Sequence, residues 1–231
     1  MKAPGPLLAS GRDADIFECG SDLVLRRSRK RRSLAYEARV MEYARTKGYP
    51  VPAVEEVSDD GTEIVMERIR GYDMVTAITK RPWTIRLQAR RLADLHLELH
   101  ELAGPEWLRS SPVGKGNRLL HLDLHPLNVI LSPNGPVVID WANACRGDPA
   151  VDVALAWVLM AAGSVPTSSM VAAVLQPLRS VLLRSFLKPF EIGEVTSRLR
   201  DVVAWKVLDP HMSASEQARM WKVVDGCTSQ T

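Results

Sequence analysis

The spacing of apolar and polar positions divides the chain into a strand-rich amino-terminal part and a helical remainder. In the first third, short runs of strand-forming residues flank two polar segments, residues 20–22 (Gly-Ser-Asp) and 58–61 (Ser-Asp-Asp-Gly). Because such segments favour tight turns, the pattern predicts two β-hairpins. The predicted strands cover residues 15–19, 23–27, 54–57 and 63–66.

Helical spacing is clearest in two segments. Apolar residues recur three or four positions apart over residues 33–47, where Gly48 ends the pattern, and again over residues 83–102. The most apolar run, residues 151–165, contains Asp152 and is too short to span a bilayer, which needs about 20 apolar residues. This run therefore predicts a buried helix, and we expect no membrane partner.

Together these elements predict an α+β fold with two lobes. Residues 1–70 are predicted to form a small sheet-rich lobe, and residues 71–231 a larger, mostly helical lobe. A hinge is expected near residues 67–71, where the character of the sequence changes. A chain of 231 residues is long enough for two small lobes that each bury a core.

Composition indicates an ordinary globular protein, with 46% hydrophobic and 25% charged residues. The three cysteines are scattered without pairing or metal-ligand spacing, which indicates reduced thiols. The first ten residues lack the apolar stretch of a secretion signal. We therefore expect a cytoplasmic protein.

The overall charge is only mildly basic, at +3 with a pI of about 8.8, and does not by itself imply nucleic acid. The exception is a basic run at residues 26–32. No aromatic residues alternate with these cations, so a solvated strand end and turn is the simplest interpretation, with RNA or acidic lipid as the alternative ligand. We expect no nucleic-acid partner.

The strongest chemical signal is residues 121–128 (His-Leu-Asp-Leu-His-Pro-Leu-Asn), followed by residues 137–141 (Val-Val-Ile-Asp-Trp). Phosphoryl transfer needs a carboxylate that orients the acceptor hydroxyl and oxygen ligands that hold Mg²⁺ against the phosphates. Asp123 can serve as the first, while Asn128 and Asp140 offer the oxygen ligands. The Asn-Gly dipeptide at residue 134 predicts a hairpin that returns Asp140 to the loop.

This ordered combination, with the Gly-Asp-Pro of residues 147–149 behind it, resembles the aminoglycoside phosphotransferase and choline kinase superfamily, whose members share the protein-kinase-like fold. The resemblance implies a kinase that uses ATP and Mg²⁺ and acts on a small-molecule hydroxyl. The implied roles are catalytic aspartate for Asp123, magnesium ligands for Asn128 and Asp140, and bracing of the catalytic loop for His121 and Asp152.

The amino-terminal part carries the same resemblance, which covers about residues 7–160. Residues 10–17 look like the family's nucleotide loop, and residues 23–26 look like the strand that carries the phosphate-binding cation. They are followed by a residue that looks like the helix partner of that cation, and by a segment that looks like the hinge whose backbone contacts adenine. The implied nucleotide-binding residues are Gly11, Arg26, Glu37, Glu67 and Ile69.

Three departures from the family pattern stand out. Arg26 replaces the lysine of many relatives, and its planar fork holds phosphate differently from a point charge. Leu122 replaces a glycine that is common in the catalytic loop. The nucleotide loop has a single glycine, Gly11, so its role is inferred from its position.

Other interpretations of the same residues remain open at this point. Asp123 and Asp140 can be read as a loop cap and a turn residue, and His121-x-Asp123-x-His125 as the ligand set of a metal hydrolase. The latter leaves Asn128 and the amino-terminal part unexplained. A second pair of histidines, four residues apart on a predicted helix, lacks the glutamate of a zinc protease. We expect one of that pair to be packed and the other solvated.

Three functions fit the predicted fold: a small-molecule kinase, an atypical protein kinase, and a pseudokinase that binds nucleotide without turnover. Regulated protein kinases place a long phosphorylatable loop after the second metal-binding aspartate. Residues 141–151 contain no Ser, Thr or Tyr, which favours a small-molecule acceptor. All three predicted catalytic positions are filled, which argues against a pseudokinase, although Arg26 keeps that alternative open.

The charge balance also bears on the acceptor. Residues 83–231 contain fifteen Lys and Arg against fourteen Asp and Glu. A polycationic ligand calls for a site of concentrated negative charge. We therefore predict that the acceptor is not a polycationic aminoglycoside.

Overall fold

The structure is a computed structural model, which describes residues 4–11, 13–163, 169–210 and 212–228. These residues form ten β-strands and seven α-helices. The strands are β1 (Leu7–Ser10), β2 (Ala14–Glu18), β3 (Leu23–Ser28), β4 (Val54–Val57), β5 (Glu63–Glu67), β6 (Tyr72–Asp73), β7 (Arg118–Leu120), β8 (Val129–Ser132), β9 (Gly135–Val138) and β10 (Cys145–Gly147). The helices are α1 (Ala35–Thr46), α2 (Met74–Lys80), α3 (Ile85–Glu101), α4 (Pro149–Ala162), α5 (Ser169–Leu187), α6 (Ile192–Lys206) and α7 (Ala214–Thr228).

The chain divides into two compact units. The amino-terminal unit comprises Met1–Tyr72 and Asn128–Ala144, and the carboxy-terminal unit comprises Asp73–Leu127 and Cys145–Thr231. The predicted division placed everything after residue 70 in one lobe. In the structure the segment from Asn128 to Ala144 instead groups with the amino-terminal residues, because it folds back as a hairpin whose Val138 amide donates to the carbonyl of Pro50 at 2.8 Å.

The amino-terminal unit is built on an antiparallel sheet of five strands in the order β1-β2-β3-β5-β4. Both predicted hairpins, β2–β3 and β4–β5, are present within a residue of their expected bounds. Helix α1 packs on this sheet through a core of Leu34, Ala38 and Ile64, with partly buried Val54, Val57 and Met66 around it. The 3.6-residue period of the helix places this apolar stripe against the sheet.

A further hairpin of this unit joins β8 and β9, with Ser132 opposite Gly135. Its two turn residues are Pro133 and Asn134, so the predicted hairpin is present with its turn one residue earlier than the Asn-Gly dipeptide. The hairpin ends at Trp141, which is fully buried, donates from Nε1 to the carbonyl of Val138 at 3.1 Å and meets the ring of Tyr49 edge-on.

The carboxy-terminal unit is a helical assembly around α4. The prediction of a buried helix is confirmed: ten of the fourteen residues of α4 are buried and the other four are partly buried, and the helix contacts α5, α6 and α7. Helix α3 packs on α5, and β7 pairs with β10 beside them. None of the helices in the described part of the chain has the length and apolarity that crossing a membrane requires.

Candidate active site

Three predicted residues of the amino-terminal unit meet in one charged cluster. Arg26 lies in the middle of β3, opposite Ile16 and Ile64, and Glu37 lies in the first turn of α1. Arg26 Nη2 is 3.2 Å from Glu37 Oε2 and donates to Asp140 Oδ1 at 3.1 Å. The strand-then-helix order thus brings one guanidinium between two carboxylates.

Burial controls the charges in this cluster. The Glu37 side chain is only 4% exposed, and burial together with the negative charge of Asp140 raises the pKa of Glu37 to about 7, against the opposing effect of Arg26. Burial also disfavours the charge on Arg26, but the two carboxylates outweigh it and raise the pKa of this guanidinium. Arg26 is therefore a permanent cation held in a largely desolvated position.

The ends of the β8–β9 hairpin hold the two predicted metal ligands. Val129 pairs with Val138, and the Ile139 amide donates to the carbonyl of Asn128 at 3.0 Å, so Asn128 and Asp140 lie at the same end of one hairpin. Asp140 has a φ of 66°, in the left-handed region. Its side chain is 43% exposed, while Asn128 is buried.

This donor set fits magnesium. Mg²⁺ prefers oxygen ligands, commonly one or two carboxylates together with substrate phosphates. Asp140 and Asn128 offer a carboxylate and an amide oxygen at one hairpin end, and the exposure of Asp140 leaves its carboxylate accessible. Arg26 donates a hydrogen bond to that carboxylate, so a cation whose guanidinium is able to bind phosphate lies beside the candidate metal ligand.

The predicted nucleotide loop is the turn between β1 and β2. The Gly11 amide donates to the Ala14 carbonyl at 2.9 Å, which closes the turn, and Arg12 lies outside the described residues. The base of the turn is tied by Asp15, whose carboxylate accepts from Ser10 at 2.6 Å and from Arg29 Nε at 2.9 Å. Gly11 is therefore held in a closed turn by its neighbours.

The basic run is largely neutralised within the unit. Besides Arg26, its cations pair with carboxylates on neighbouring strands and turns. The pairs are Arg27 with Glu63, Arg29 with Asp15, Lys30 with Asp13 and Arg31 with Asp60. These are solvated strand-end and turn pairs, as predicted, and each contributes little to stability.

The predicted hinge residues lie at the end of β5 and just beyond it. The Glu67 amide donates to the carbonyl of Ala53, and its carboxylate accepts from the Ala53 amide at 3.1 Å. The Glu67 carboxylate is thus used within the unit. Ile69 follows β5, and within the described residues its amide and carbonyl take part in no backbone hydrogen bond.

In the carboxy-terminal unit, the predicted catalytic loop is held by Asp152. The amides of His121 and Leu122 donate to the two oxygens of this carboxylate at 3.0 and 2.8 Å. Leu122 has a φ of 55°, so the loop makes a left-handed turn directly before Asp123. The predicted bracing of the loop by Asp152 would therefore act through these two hydrogen bonds to the loop backbone.

The Gly-Asp-Pro motif explains how Asp152 reaches the loop. A side chain on Gly147 would collide with Ser111 and Leu120, so only glycine fits this close packing. Asp148 caps α4 by accepting from the Ala150 amide at 3.0 Å, and a proline follows at the first helical position. These residues start α4 at a fixed point, which leaves Asp152 in its first turn.

Two histidines of α3 complete this buried network, and sequence reasoning missed their part in it. His100 Nε2 lies 3.1 Å from Asp152 Oδ2, and His96 Nε2 lies 3.1 Å from the carbonyl of Leu124. Both histidines are buried, so the expectation that one would be solvated was wrong. Their spacing of four residues on one helix was the available signal, since it places both rings on the same face.

The network fixes its own charge state. Burial opposes the charge of Asp152, but the hydrogen bond from His100 and the neighbouring histidines and amides hold the pKa of this carboxyl well below its usual range. Burial lowers the pKa of His96 to about 4, so its ring is neutral at pH 7. Asp152 is therefore a permanent anion that accepts hydrogen bonds from the loop.

Asp123 projects beyond this braced turn and meets His125. The Leu127 amide donates to His125 Nδ1 at 3.3 Å, which leaves the ring proton on Nε2, 3.5 Å from Asp123 Oδ1. Burial opposes the charge of Asp123, but the hydrogen bond from His125 and the electrostatic effect of the neighbouring His125, His121 and Lys206 lower its pKa. Asp123 is thus a carboxylate at neutral pH, able to accept a hydrogen bond from a hydroxyl.

This geometry does not support the metal-hydrolase interpretation. Within the described part of the chain, the one group of three or more His, Cys, Asp or Glu ligand atoms within 4.8 Å is His96, His100 and Asp152, not the set His121, Asp123 and His125. The hydrogen bonds from the loop and from His100 account for the position of the Asp152 carboxylate.

Comparison with known proteins places this arrangement in context. Residues 83–190 match the family described as "Phosphotransferase enzyme family". A search of curated protein sequences found no match. The family match confirms the predicted enzyme class, a phosphotransferase.

Several solved structures share the fold. One is a thermostable mutant of aminoglycoside phosphotransferase APH(4)-Ia in a ternary complex with ADP and hygromycin B, at 15% identity and a TM-score of 0.58, covering 95% of this chain and 92% of that chain. Another is ADP-bound aminoglycoside phosphotransferase APH(2'')-Ib, with 17% sequence identity and a TM-score of 0.62. The match covers 93% of this chain and 90% of that chain. A third is a choline/ethanolamine kinase family protein from Mesorhizobium loti, also with 17% sequence identity and a TM-score of 0.62. The match covers 97% of this chain and 87% of that chain.

At these identities the likeness establishes the fold. The predicted α+β, protein-kinase-like class is confirmed, with a sheet-rich amino-terminal part and a helical carboxy-terminal part. The match of residues 83–190 to a phosphotransferase family agrees with the predicted resemblance over that part of the chain.

Proposed function

From the match of residues 83–190 to a phosphotransferase family and from the shared kinase-like fold, we propose that this chain transfers the γ-phosphate of ATP to a hydroxyl of a small molecule. The observation that carries the proposal is the cluster of Arg26, Glu37 and Asp140. Arg26 is a largely buried cation in the middle of β3, and it contacts a carboxylate on either side. A cation held by carboxylates in this way is suited to binding phosphates beside a metal ion.

In this proposal the amino-terminal unit binds the nucleotide. Glu37 orients Arg26, whose guanidinium contacts the phosphates, and Asn128 and Asp140 hold Mg²⁺. The bound ion neutralises charge on the phosphate oxygens during transfer. The exposure of Asp140 and its hydrogen bond to Arg26 support this assignment, because a ligand at one of these side chains also meets the other.

The remaining nucleotide contacts come from backbone. Gly11 lies in the turn between β1 and β2, where a missing side chain lets the backbone approach a phosphate. Ile69, with an amide and carbonyl outside the sheet, is proposed to meet adenine. Glu67 positions this segment through its bonds to Ala53.

The carboxy-terminal unit supplies the catalytic carboxylate. Asp123 accepts the hydrogen bond of the acceptor hydroxyl, orients its oxygen for attack and takes its proton as the new bond forms. His125 fixes one oxygen of Asp123, and Asp152 fixes the backbone before it. A held carboxylate is effective because it need not reorganise during the reaction.

The acceptor class follows from the same comparison. The proteins of similar fold include one bound to hygromycin B and one of the choline/ethanolamine kinase family. We propose an alcohol as acceptor. We also propose that the enzyme works in the cytoplasm, where ATP, magnesium and reduced thiols coexist.

The experiment is an assay of ADP release with pure protein, ATP, magnesium and a panel of small alcohols, with wild type and Asp123→Asn compared. We expect the substitution to lower the rate by a factor of about 100 to 10,000 and to leave ATP affinity nearly intact. Asp94→Asn, on the exposed face of α3, is the matched control and retains wild-type rates. A wild-type rate in Asp123→Asn would falsify the assignment, and ATP binding without any turnover would mark a pseudokinase.

A further inference from the structure

An apolar cavity of about 210 Å³ lies within the carboxy-terminal unit. Thirteen described residues line it, and nine of them are aliphatic, methionine or proline. The walls come from α2 and α3, the catalytic loop, the end of α4, and α5. Val75, Leu127, Leu159 and Leu182 represent these four sides.

The few polar groups at the cavity are already used. Arg179 donates to the carbonyls of Ala161 and Gly163, at 3.0 and 2.7 Å, and so closes the end of α4. Glu216 accepts from the amide and the hydroxyl of Ser213, at 3.0 and 2.7 Å, as the cap of α7. Neither side chain is therefore a spare charge for a ligand, and a polycation would find no concentration of carboxylates here.

The remaining polar residue links the cavity to the chemistry. His125 lines the cavity, and its Nε2 lies 3.5 Å from Asp123 Oδ1. Leu127, two residues on, also lines the cavity and is 44% exposed. The apolar surface thus begins where the proposed catalytic carboxylate ends.

We propose that this cavity receives the acceptor and that the acceptor is an uncharged alcohol with an apolar body. The inference rests on the proposed phosphotransferase function and names the substrate class of the same site. A pocket with apolar walls and few polar groups gains affinity from burying apolar surface, and its polar edge sets the orientation. Here that edge is His125, whose contact with Asp123 places the hydroxyl end of the acceptor.

The size of the cavity limits the acceptor. A dry apolar cavity of about 150 Å³ holds benzene. By that scale, this cavity holds a body on the order of eight non-hydrogen atoms. Benzyl alcohol has this size, carries one primary hydroxyl and has no charge, so it is a suitable probe.

The transfer balances without any further reactant. The hydroxyl oxygen of the alcohol bonds to the γ-phosphorus of ATP, and the bond from that phosphorus to the bridging oxygen breaks. ADP leaves with the electron pair of the broken bond. The hydroxyl proton passes to the Asp123 carboxylate and then to water.

The test compares two phenylalanine substitutions on neighbouring residues of α5. Leu182 lines the cavity, whereas Leu183 does not, and both are half-buried. Leu182→Phe fills the cavity and is expected to raise KM for benzyl alcohol about tenfold or more, while Leu183→Phe stays close to wild type. The product, benzyl phosphate, is identified by ³¹P NMR and mass spectrometry. Val75→Phe, on α2, fills the cavity from the opposite side.

Binding is also measured on the wild-type protein, so the test survives a variant that fails to fold. Benzyl alcohol is expected to shift the methyl resonances of Val75 and Leu182 and to leave those of Leu183 unchanged. The inference is overturned if benzyl alcohol moves neither cavity methyl, or if kanamycin is phosphorylated efficiently and benzyl alcohol is not. If no alcohol gives Asp123-dependent ADP release, the proposed function itself has failed, which is a separate result.

Discussion

Leu122 and Asp140 adopt left-handed backbone conformations, with φ of 55° and 66°. For a residue with a side chain this conformation costs roughly 1–2 kcal/mol, and aspartate tolerates it better than leucine. At Leu122 the cost is offset by burial of the residue, which is only 2% exposed, and by the hydrogen bond that its backbone amide donates to Asp152. The structure therefore explains the departure from glycine: burial of leucine compensates for the strained turn.

This balance gives an ordered prediction for stability. Leu122→Gly relieves the strain but removes a buried side chain, so it should destabilise the protein by about 1–3 kcal/mol. Leu122→Ala loses the same packing and keeps the strain, so it should be less stable than the glycine variant by about 1 kcal/mol. Urea unfolding of the three proteins measures the order. An alanine variant as stable as the glycine variant would contradict this account of the turn.

At Asp140 a substitution can remove the side-chain charge without changing the preference for this backbone conformation. Asparagine tolerates the left-handed conformation, so Asp140→Asn should fold normally while losing the carboxylate. We expect magnesium-dependent ATP affinity to fall about tenfold or more, because an anionic oxygen ligand has been replaced. Calorimetric titration with MgATP measures this, and Asp59→Asn, in an exposed turn, serves as control. Unchanged affinity in Asp140→Asn would make Asp140 a turn residue only.

At the scale of elements, the hairpins and long helices were predictable because their hydrophobic periods are regular. Helix α1 and helix α3 differ from the predicted spans by two residues or fewer at each end, and α4 begins two residues earlier and ends three earlier than its apolar run. Glycine, proline and turn residues marked these boundaries. Periodicity and turn chemistry were sufficient for this part of the fold.

Several short elements escaped prediction, and β1 and α2 show why. All four residues of β1 are exposed at the sheet edge, so the strand leaves no burial pattern in the sequence. Helix α2 spans seven residues with only Met74 and Ile78 buried, too few to reveal a period. Its one local signal was Asp73, which caps the helix by accepting from the Thr76 amide at 2.8 Å.

The candidate site was predictable where a motif is contiguous and not where distant elements converge. The carboxylates and Arg26 followed from motifs, whereas the contact of His100 with Asp152 joins residues 52 positions apart. His125 belonged to the motif, but its bond to Asp123 depends on the loop geometry. Long-range contacts of this kind leave no spacing in a single sequence.

The brace between α4 and the catalytic loop can be tested at Asp152. In Asp152→Asn the side chain keeps only one oxygen. Its NH₂ group then lies against the backbone N–H of His121 or Leu122, which loses its hydrogen-bond acceptor. Leaving a buried donor unsatisfied and removing the anion should destabilise the protein by about 3 kcal/mol and abolish transfer. Urea unfolding and ADP release measure both effects against Asp201→Asn, on the exposed face of α6. A variant within about 0.5 kcal/mol of wild type would show that the loop does not depend on this carboxylate.

At the scale of the whole molecule, the buried histidine network predicts how stability depends on pH. The pKa of His96 is about 4 when folded, lowered mainly by burial, against an ordinary value of 6.5, with Asp152 opposing and His100 and His121 reinforcing the shift. Below pH 6.5 the unfolded chain therefore binds a proton at His96, whereas the folded protein binds that proton only at about pH 4 and below. His96 stabilises the fold above pH 6.5, and this contribution is lost as pH falls towards 4.

The corresponding experiment compares wild type with His96→Gln, which keeps a side-chain N–H for the Leu124 carbonyl. The free energy of unfolding of wild type should fall relative to the variant by about 3 kcal/mol between pH 6.5 and pH 4. Chemical unfolding at several pH values gives both curves. Parallel curves across this range would mean that His96 is not held neutral by burial.

Each unit carries one part of the proposed reaction: a cation and oxygen ligands in the amino-terminal unit, and a braced carboxylate with an apolar cavity in the carboxy-terminal unit. The fate of the γ-phosphate shows whether this protein moves phosphate from ATP to a small alcohol. ATP labelled in the γ-position is incubated with the protein, magnesium and a panel of small alcohols. We expect label in a phosphate ester of an alcohol with the wild-type protein, and none there with Asp123→Asn. Label found only in inorganic phosphate or on protein, or unchanged by the substitution, would contradict this expectation.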